Sequence, residues 1–268
     1  MKLTNRDFTR LKTFMYNNYG INLEKKEKLI ETRLALVVKR MGFTDFSSYI
    51  DALLKDKSGE MVAIIVEKLT TNFTYFMREE QHYKFLREKI ILNRIRTNPS
   101  SNIKIWCAAS SSGEEPYCLA MTSTSSIGPN KNFKVTIDAS DISRNVLKIA
   151  KNGIYSSEKV EKLPPIWVKN YFKQTDSKNF EVIDPIKKMI TFKYFNLNAG
   201  IGWERSKYDI IFCRNVMIYF DDITKKKLCK KLHDSLKPGG YLIIGLSENL
   251  TNLTDSFERV EPSIYKRK

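Results

Sequence analysis

The sequence has few of the residues that build disulfide or metal frameworks. It holds four cysteines, Cys107, Cys118, Cys213 and Cys229, and two histidines, His82 and His233. No two cysteines form a Cys-x-x-Cys pair, so a structural zinc site is not expected. Buried reduced thiols suit the apolar neighbours of Cys107 and Cys213. No run of roughly 18 apolar residues occurs, so nothing is expected to span or insert into a membrane. The opening Met1-Lys2-Leu3-Thr4-Asn5-Arg6-Asp7 lacks the apolar stretch of a signal peptide, and a cytoplasmic protein is expected. Acidic residues are scarce too. Against 46 Lys+Arg stand 30 Asp+Glu, for a net charge of +16 over 268 residues. That surplus fits an acidic partner: nucleic acid, an anionic membrane or an acidic protein.

Hydrophobic residues make up 42% of the chain, enough to build a core. Residues 4–70 contain no proline and little glycine. Phe8, Leu11, Phe14 and Met15 recur at helical spacing, as do Leu29, Ile30, Leu34, Val37 and Val38. Gly42 follows Arg40 and Met41 as a helix stop, and further helices are predicted from about Thr44-Asp45 and Glu60. This reads as a small helical domain. From residue 103 the texture changes to short apolar runs at 103–107, 133–137, 209–213 and 241–245. Predicted helices lie between them, at 114–121, 143–151 and 223–236. Such alternation predicts a parallel sheet covered on both faces. The stretch 155–192, with Pro164-Pro165 and Asp184-Pro185, breaks the alternation and reads as an insertion with short strands of its own.

Ligands of open α/β sheets bind at the carboxyl ends of the strands, so the residues there carry the chemistry. The first run is followed by Ala108-Ala109-Ser110-Ser111-Ser112-Gly113-Glu114-Glu115-Pro116. Its small side chains let a ligand approach the backbone. It lacks the glycine set and lysine of a phosphate cradle. Glu114 and Glu115 would repel an anion and welcome a cation, such as the amino group and sulfonium of S-adenosylmethionine. Equally, they could serve only to complement the helix dipole. Asp141 ends the second run, where an acid can accept both ribose hydroxyls of an adenosine; Asp141 or Ser143 as a helix N-cap is the structural alternative. Arg214-Asn215 ends another buried run, and Asn215 can bond a ligand's amino or carboxylate group.

Leu236-Lys237-Pro238-Gly239-Gly240 resembles a signature of class I S-adenosylmethionine-dependent methyltransferases. Four stretches are more specifically similar to the chemotaxis receptor glutamate O-methyltransferases, the CheR family. They are Thr70-Thr71-Asn72-Phe73-Thr74-Tyr75-Phe76-Met77-Arg78-Glu79, then Ser111-Ser112-Gly113-Glu114-Glu115-Pro116-Tyr117. Phe212-Cys213-Arg214-Asn215-Val216-Met217-Ile218-Tyr219-Phe220-Asp221 follows, and Ile244-Gly245-Leu246-Ser247-Glu248-Asn249 is the last. The resemblance implies a doubly wound, Rossmann-like α/β methyltransferase sheet with an N-terminal helical domain and a small inserted antiparallel β-subdomain. It implies a receptor-facing helical domain over 1–75 and a methyltransferase domain over 76–268, with the insertion at about 156–190.

The resemblance also implies residue roles. Asn72, Thr74 and Arg78 match a segment that closes over the cofactor, Arg78 pairing with its carboxylate. Glu114 matches an acid near the cofactor's amino end, and Asp141 the ribose-binding acid. Asn196 and Leu197 match a pair flanking the adenine; Arg214 and Asn215 match the pair after the fourth strand. Tyr219 matches a tyrosine near the transferred methyl group, with Arg94 a second candidate there. The implied reaction moves a methyl group from S-adenosylmethionine to receptor glutamates, leaving glutamyl methyl esters and S-adenosylhomocysteine, with no metal. The implied partner is the acidic cytoplasmic helical bundle of a chemoreceptor, met by basic residues such as Lys25, Lys26, Lys28, Arg33, Lys39 and Arg40. Ordinary solvated charges are the alternative for those residues. Some family members also bind a receptor tail peptide beside a glycine-bearing loop of the β-subdomain. No glycine occurs here from Ile154 to Ala199, so a tether-independent, monomeric enzyme is expected. The rivals are a nucleic-acid methyltransferase and a non-enzymatic cofactor-sensing scaffold. Against the first, no Asn/Asp-Pro-Pro-aromatic motif follows the fourth strand and no cysteine follows a proline.

Overall fold

A computed structural model describes residues 1–69, 74–130 and 132–268. Four helices come first: α1 (Asn5–Tyr19), α2 (Glu27–Arg40), α3 (Phe46–Lys55) and α4 (Glu60–Leu69). The Thr4 hydroxyl accepts from the Asp7 N–H to cap α1, and Asp45 caps α3 through the Ser48 N–H at 2.8 Å. Their apolar stripes, Leu11 and Met15 with Ile30, Leu34 and Val38, are fully buried.

The α/β part opens with α5 (Gln81–Phe85), a π-turn (Leu86–Ile91) and α6 (Leu92–Thr97). Then come β1 (Asn102–Cys107), α7 (Glu114–Ile127), β2 (Lys134–Asp141) and α8 (Arg144–Asn152). The insertion supplies β3 (Ile154–Ser156), α9 (Ser157–Val160), α10 (Pro165–Tyr171), β4 (Phe172–Gln174), β5 (Asn179–Val182) and α11 (Asp184–Lys187). The chain returns through β6 (Ile190–Tyr194), β7 (Tyr208–Cys213), α12 (Asp222–Ser235), β8 (Leu236–Ile244), β9 (Phe257–Glu261) and β10 (Ile264–Arg267).

The main sheet has seven strands in the order β6-β2-β1-β7-β8-β10-β9. The first five are parallel; β10 and β9 close the edge antiparallel. The insertion forms a separate antiparallel sheet, β3-β5-β4. From β1 the chain runs outward through β2 and β6, then crosses back to β7. The strand order therefore reverses between β1 and β7, and a crevice opens at their carboxyl ends.

Two apolar cores flank the sheet. One is continuous from α1–α4 to the sheet face bearing Trp106, Ile211, Leu242 and Ile244. The other gathers α7, Phe76 and the insertion's Tyr155, Leu163 and Phe172. All four cysteines are buried and unpaired.

Two elements depart from the sequence reading. Helix α7 runs six residues past 121, with serine and threonine hydroxyls that bond back within the helix. Ser123, Thr124 and Ser126 donate to the carbonyls four residues back, of Leu119, Ala120 and Thr122. The Lys237-Pro238-Gly239-Gly240 stretch is not a turn before the last parallel strand but a bulge within β8. Leu236 pairs with Tyr208, and pairing resumes at Tyr241 opposite Ile210. Among the described residues, no helix is long and apolar enough to cross a membrane.

Candidate active site

The switch-point crevice is a cleft of about 990 Å³, a volume that includes its open mouth. Its floor is the turn after β1, Ala108-Ala109-Ser110-Ser111. Its walls include Thr74, Tyr75 and Arg78 on one side and Ile142, Phe195 and Leu197 on another. The helical domain contributes Tyr19, Ile21 and Val66.

Asp141 stands at the end of β2. The Ser111 N–H donates to one carboxylate oxygen at 2.8 Å and the Ser143 N–H to the other at 2.9 Å. Burial raises its pKa, and the N–H groups of Ser143, Ser111 and Ile142 offset that only in part. The carboxylate is thus fixed in place while lining the cleft. The cap of α8 is Ser143, whose hydroxyl accepts from the Val146 N–H. Behind Asp141, Phe195 is held edge-on by Trp106 and Trp203, at centroid distances of 5.6 and 5.3 Å. Such pairs contribute about 0.5–1.5 kcal/mol each beyond area burial, which makes this wall rigid.

Arg214 is 1% exposed at its side chain. Its guanidinium bonds Glu115, the Arg78 carbonyl at 2.5 Å and the Tyr83 hydroxyl at 3.3 Å. Glu79 lies 3.2 Å away. Burial works against its charge, but Glu115, Tyr83 and Glu79 outweigh that and hold its pKa above the usual range. Glu79 responds in kind. Burial would raise its pKa; Arg214, the Asn215 amide and the Leu246 N–H outweigh that and keep it below the ordinary value. His82, fully buried 3.5 Å from Glu79, has its pKa lowered to about 4 by burial and by Arg214, with Glu79 opposing. It is neutral at pH 7. Arg214 therefore acts as a strut that pins the Arg78 backbone to the end of β7.

A second strut supports the next turn. Glu248 accepts from the N–H groups of Gly245, Asn215 and Met217 at 2.7, 2.9 and 2.7 Å. Burial raises its pKa despite those donors. The turn needs the help, because Asn215 sits at φ 56°. Gly245 lets the two segments meet: a Cβ there would lie 2.5 Å from the Asn215 amide nitrogen. Tyr219 follows on a short 3-10 turn, Met217–Tyr219, and lines the cleft. Its carbonyl accepts from the Asn22 N–H at 2.9 Å, and the Lys26 ammonium lies 5.8 Å from its ring centroid.

The structure brings Thr74, Arg78, Asp141, Asn196, Leu197, Arg214, Asn215 and Tyr219 to one cleft. Asn72 lies outside the described residues. Two expectations need correction. Glu114 does not line the cleft. It is fully buried, accepting from the Ser112 hydroxyl and paired with Lys159 of the insertion at 2.6 Å. The neighbouring Glu115 faces the cleft instead, committed to Arg214. Gly113, just before them, packs closely on the neighbouring elements. It takes φ 98°, and a Cβ there would meet Ala150 and Tyr155 at 2.8 Å. Arg94 does not reach the cleft either. It sits on α6 within 3.9 Å of Asp209, near the amino end of β7, whereas the cleft lies beyond the carboxyl end. Asn196 is half committed, donating to the Asn18 carbonyl at 2.8 Å.

Sequence reasoning missed Glu79, Phe195 and Glu248, and it read Glu115 as an acid facing a cationic ligand or the helix dipole, not as the partner of Arg214. Glu79, Glu115 and Glu248 lie within stretches singled out as motifs, so their position was visible but not their work.

A ribose-ready carboxylate, small-residue floor and apolar walls at the switch point define an adenosine-binding site of the methyltransferase class. Family comparison sharpens this. Residues 6–70 match the model described as CheR methyltransferase, all-alpha domain, and residues 72–266 match CheR methyltransferase, SAM binding domain. A chemotaxis protein methyltransferase of Borreliella burgdorferi is 41% identical, covering 100% of this chain and 96% of that protein. Chemotaxis protein methyltransferases of Vibrio anguillarum and Vibrio parahaemolyticus are 37% and 36% identical, each covering 98% of this chain and 96% of the relative. The chain belongs to the CheR methyltransferase family, and its cofactor is S-adenosylmethionine.

The residues fit that cofactor. Asp141 would take the ribose hydroxyls, Ile142, Phe195 and Leu197 the adenine, and the Arg78 guanidinium the carboxylate.

Proposed function

We infer that this chain methylates glutamate side chains of a chemoreceptor, forming methyl esters in chemotaxis adaptation. The observation that carries the reading is the anchored Asp141 carboxylate in a cleft whose far side presents Arg78 and Tyr219. Bound S-adenosylmethionine supplies an electrophilic methyl group on a sulfonium. The protein's part is to hold and orient. A glutamate ionises near pH 4.3, roughly, so the acceptor arrives as a carboxylate and needs no general base. Matching this, the described residues that line the cleft include no histidine. Tyr219, fixed through its carbonyl by the helical domain, is placed to steer the acceptor by its hydroxyl. A strongly bonding cation at that point would blunt the nucleophile. Closing apolar walls around the carboxylate strips its water and aligns the groups.

The test is methyl transfer from labelled S-adenosylmethionine to a receptor cytoplasmic fragment, followed by base treatment. Release of labelled methanol supports an ester; label passing to RNA or DNA and not to the receptor overturns the reading.

We further infer independence from a receptor tail peptide. The edge strands β3 and β4 are three residues each, a short template for strand addition. The β4–β5 turn is closed by its own Asp176, which accepts from the Lys178 and Asn179 N–H groups at 2.7 and 2.9 Å. Titration with a receptor tail peptide checks this: no binding below about 100 μM is expected, and low-micromolar affinity refutes it. A monomer in solution accompanies this reading.

A further inference from the structure

Helix α12 starts at the cleft mouth, directly after the turn that carries Tyr219. Its inner face is built into the core by Leu228, Cys229 and Leu232. Its outer face presents Ile223, Lys226, Lys227 and Lys230, all exposed. These positions are three and four apart and so form one stripe along the helix. The stripe starts on apolar ground. Ile223 is 60% exposed, and Ile218, next to Tyr219, is 49% exposed. Among the described residues, Lys226, Lys227 and Lys230 have no carboxylate within 4.0 Å, whereas Lys225 of this helix is paired with Asp222 at 3.1 Å. Lys227 is drawn toward Asp221, the N-cap of this helix, but the three neighbouring cations still repel one another, and an outside anion relieves that cost.

The connector that leads into α2, with Lys26 at its end, meets this stripe at Tyr219. The connector before α2 is joined to the Tyr219 turn by an antiparallel bridge between Ile21 and Phe220 and by the Asn22 bond. Tyr16 adds a bond to Asp221, the N-cap of α12, at 2.8 Å. Two basic helices therefore begin at the point where the acceptor glutamate must enter.

We propose that the outer face of α12 is a docking strip for an acidic amphipathic helix of the substrate receptor, in addition to the basic face of α2. Ile218 and Ile223 take the apolar side of that helix beside the acceptor, and the three lysines take carboxylates farther along it. The strip from Ile223 to Lys230 spans about 10 Å at 1.5 Å per residue, or two turns of a partner helix. The proposal rests on the receptor reading above and deepens it.

The experiment uses the full chain carrying Lys226→Glu, Lys227→Glu and Lys230→Glu. A control carries three reversals elsewhere on the domain, at the exposed Lys89, Arg96 and Lys134. All three proteins are first compared for S-adenosylhomocysteine affinity, which equal folding keeps equal. Methylation of a receptor fragment is then measured across fragment concentration and salt. The α12 variant is expected to raise KM at least tenfold, with kcat at saturation within twofold and a flatter salt dependence. The control is expected to change KM less than threefold. An unchanged KM in the α12 variant overturns the proposal, as does an equal change in the control, which would reduce the effect to net charge. Loss of RNA binding with an unchanged receptor KM also overturns it. If the wild type fails to methylate the fragment at all, the receptor reading itself falls.

Discussion

Replacing Arg214 by Met tests the strut directly. The side chain is 1% exposed and faces two carboxylates, Glu79 and Glu115. Met keeps much of the length and removes the charge and the donors. Two half-buried carboxylates then lack their cation, and the Arg78 carbonyl lacks its donor. Breaking a buried pair by removing one partner costs about 3–5 kcal/mol. At about 2–4 °C per kcal/mol for a chain of this size, Tm should fall by about 6–20 °C at pH 8. The sign with pH follows from Glu79. In the wild type its folded pKa lies below its unfolded value, so its contribution is complete above roughly pH 4.3 and is lost only below that. In the variant, burial without Arg214 raises its folded pKa above the unfolded one. The penalty is then largest at high pH and is relieved as pH falls through the raised value. Thermal unfolding by circular dichroism at pH 8 and pH 5.5 reads both effects. The gap between variant and wild type should be wide at pH 8 and narrower at pH 5.5. A drop under 2 °C at pH 8, or a gap that stays constant with pH, would refute the strut.

Asp141→Ala should weaken S-adenosylhomocysteine binding more than tenfold by calorimetry with little change in Tm; unchanged affinity removes the ribose assignment. Glu248→Gln places an amide NH₂ against backbone N–H groups and should cost about 2 kcal/mol of stability. Because it supports the turn before Tyr219, kcat should fall as well; a stable variant with full activity would contradict the role. Arg94→Ala should leave kcat and KM within twofold of wild type, since Arg94 pairs with Asp209 at the other end of β7. A loss of tenfold or more would return Arg94 to the site.

The strand ends were legible in the sequence for a physical reason. Parallel strands buried on both faces read as apolar runs, and the polar residues that interrupt them mark the cleft. Asp141 and Arg214 stand out this way, whereas Tyr219 came only from the family resemblance. What could not be read was the direction in which neighbouring side chains point. Glu114 and Glu115 are identical in type and adjacent on α7, and successive helix positions point apart, so which one faces the ligand depends on partners far off in the chain: Lys159 holds Glu114 and Arg214 holds Glu115. Arg214 looks like a ligand-binding cation, yet its partner Glu115 lies 99 residues away in the chain. No local pattern announces such a pair. The bulge in β8 was hidden likewise, because a Pro-Gly-Gly sequence has the composition of a turn.

The single core shared by α1–α4 and the sheet face limits how the protein can be re-engineered. Trp106, Ile211, Leu242 and Ile244 are covered on that face by a cluster that includes helical-domain side chains. Deleting the helices would bare an apolar surface of the kind that makes proteins aggregate. Swapping residues 1–69 alone between relatives therefore pairs each set of helices with a sheet face it was not packed against. A working chimera must carry the matching sheet face with its helices, and a junction drawn between them cuts through the interior of the molecule.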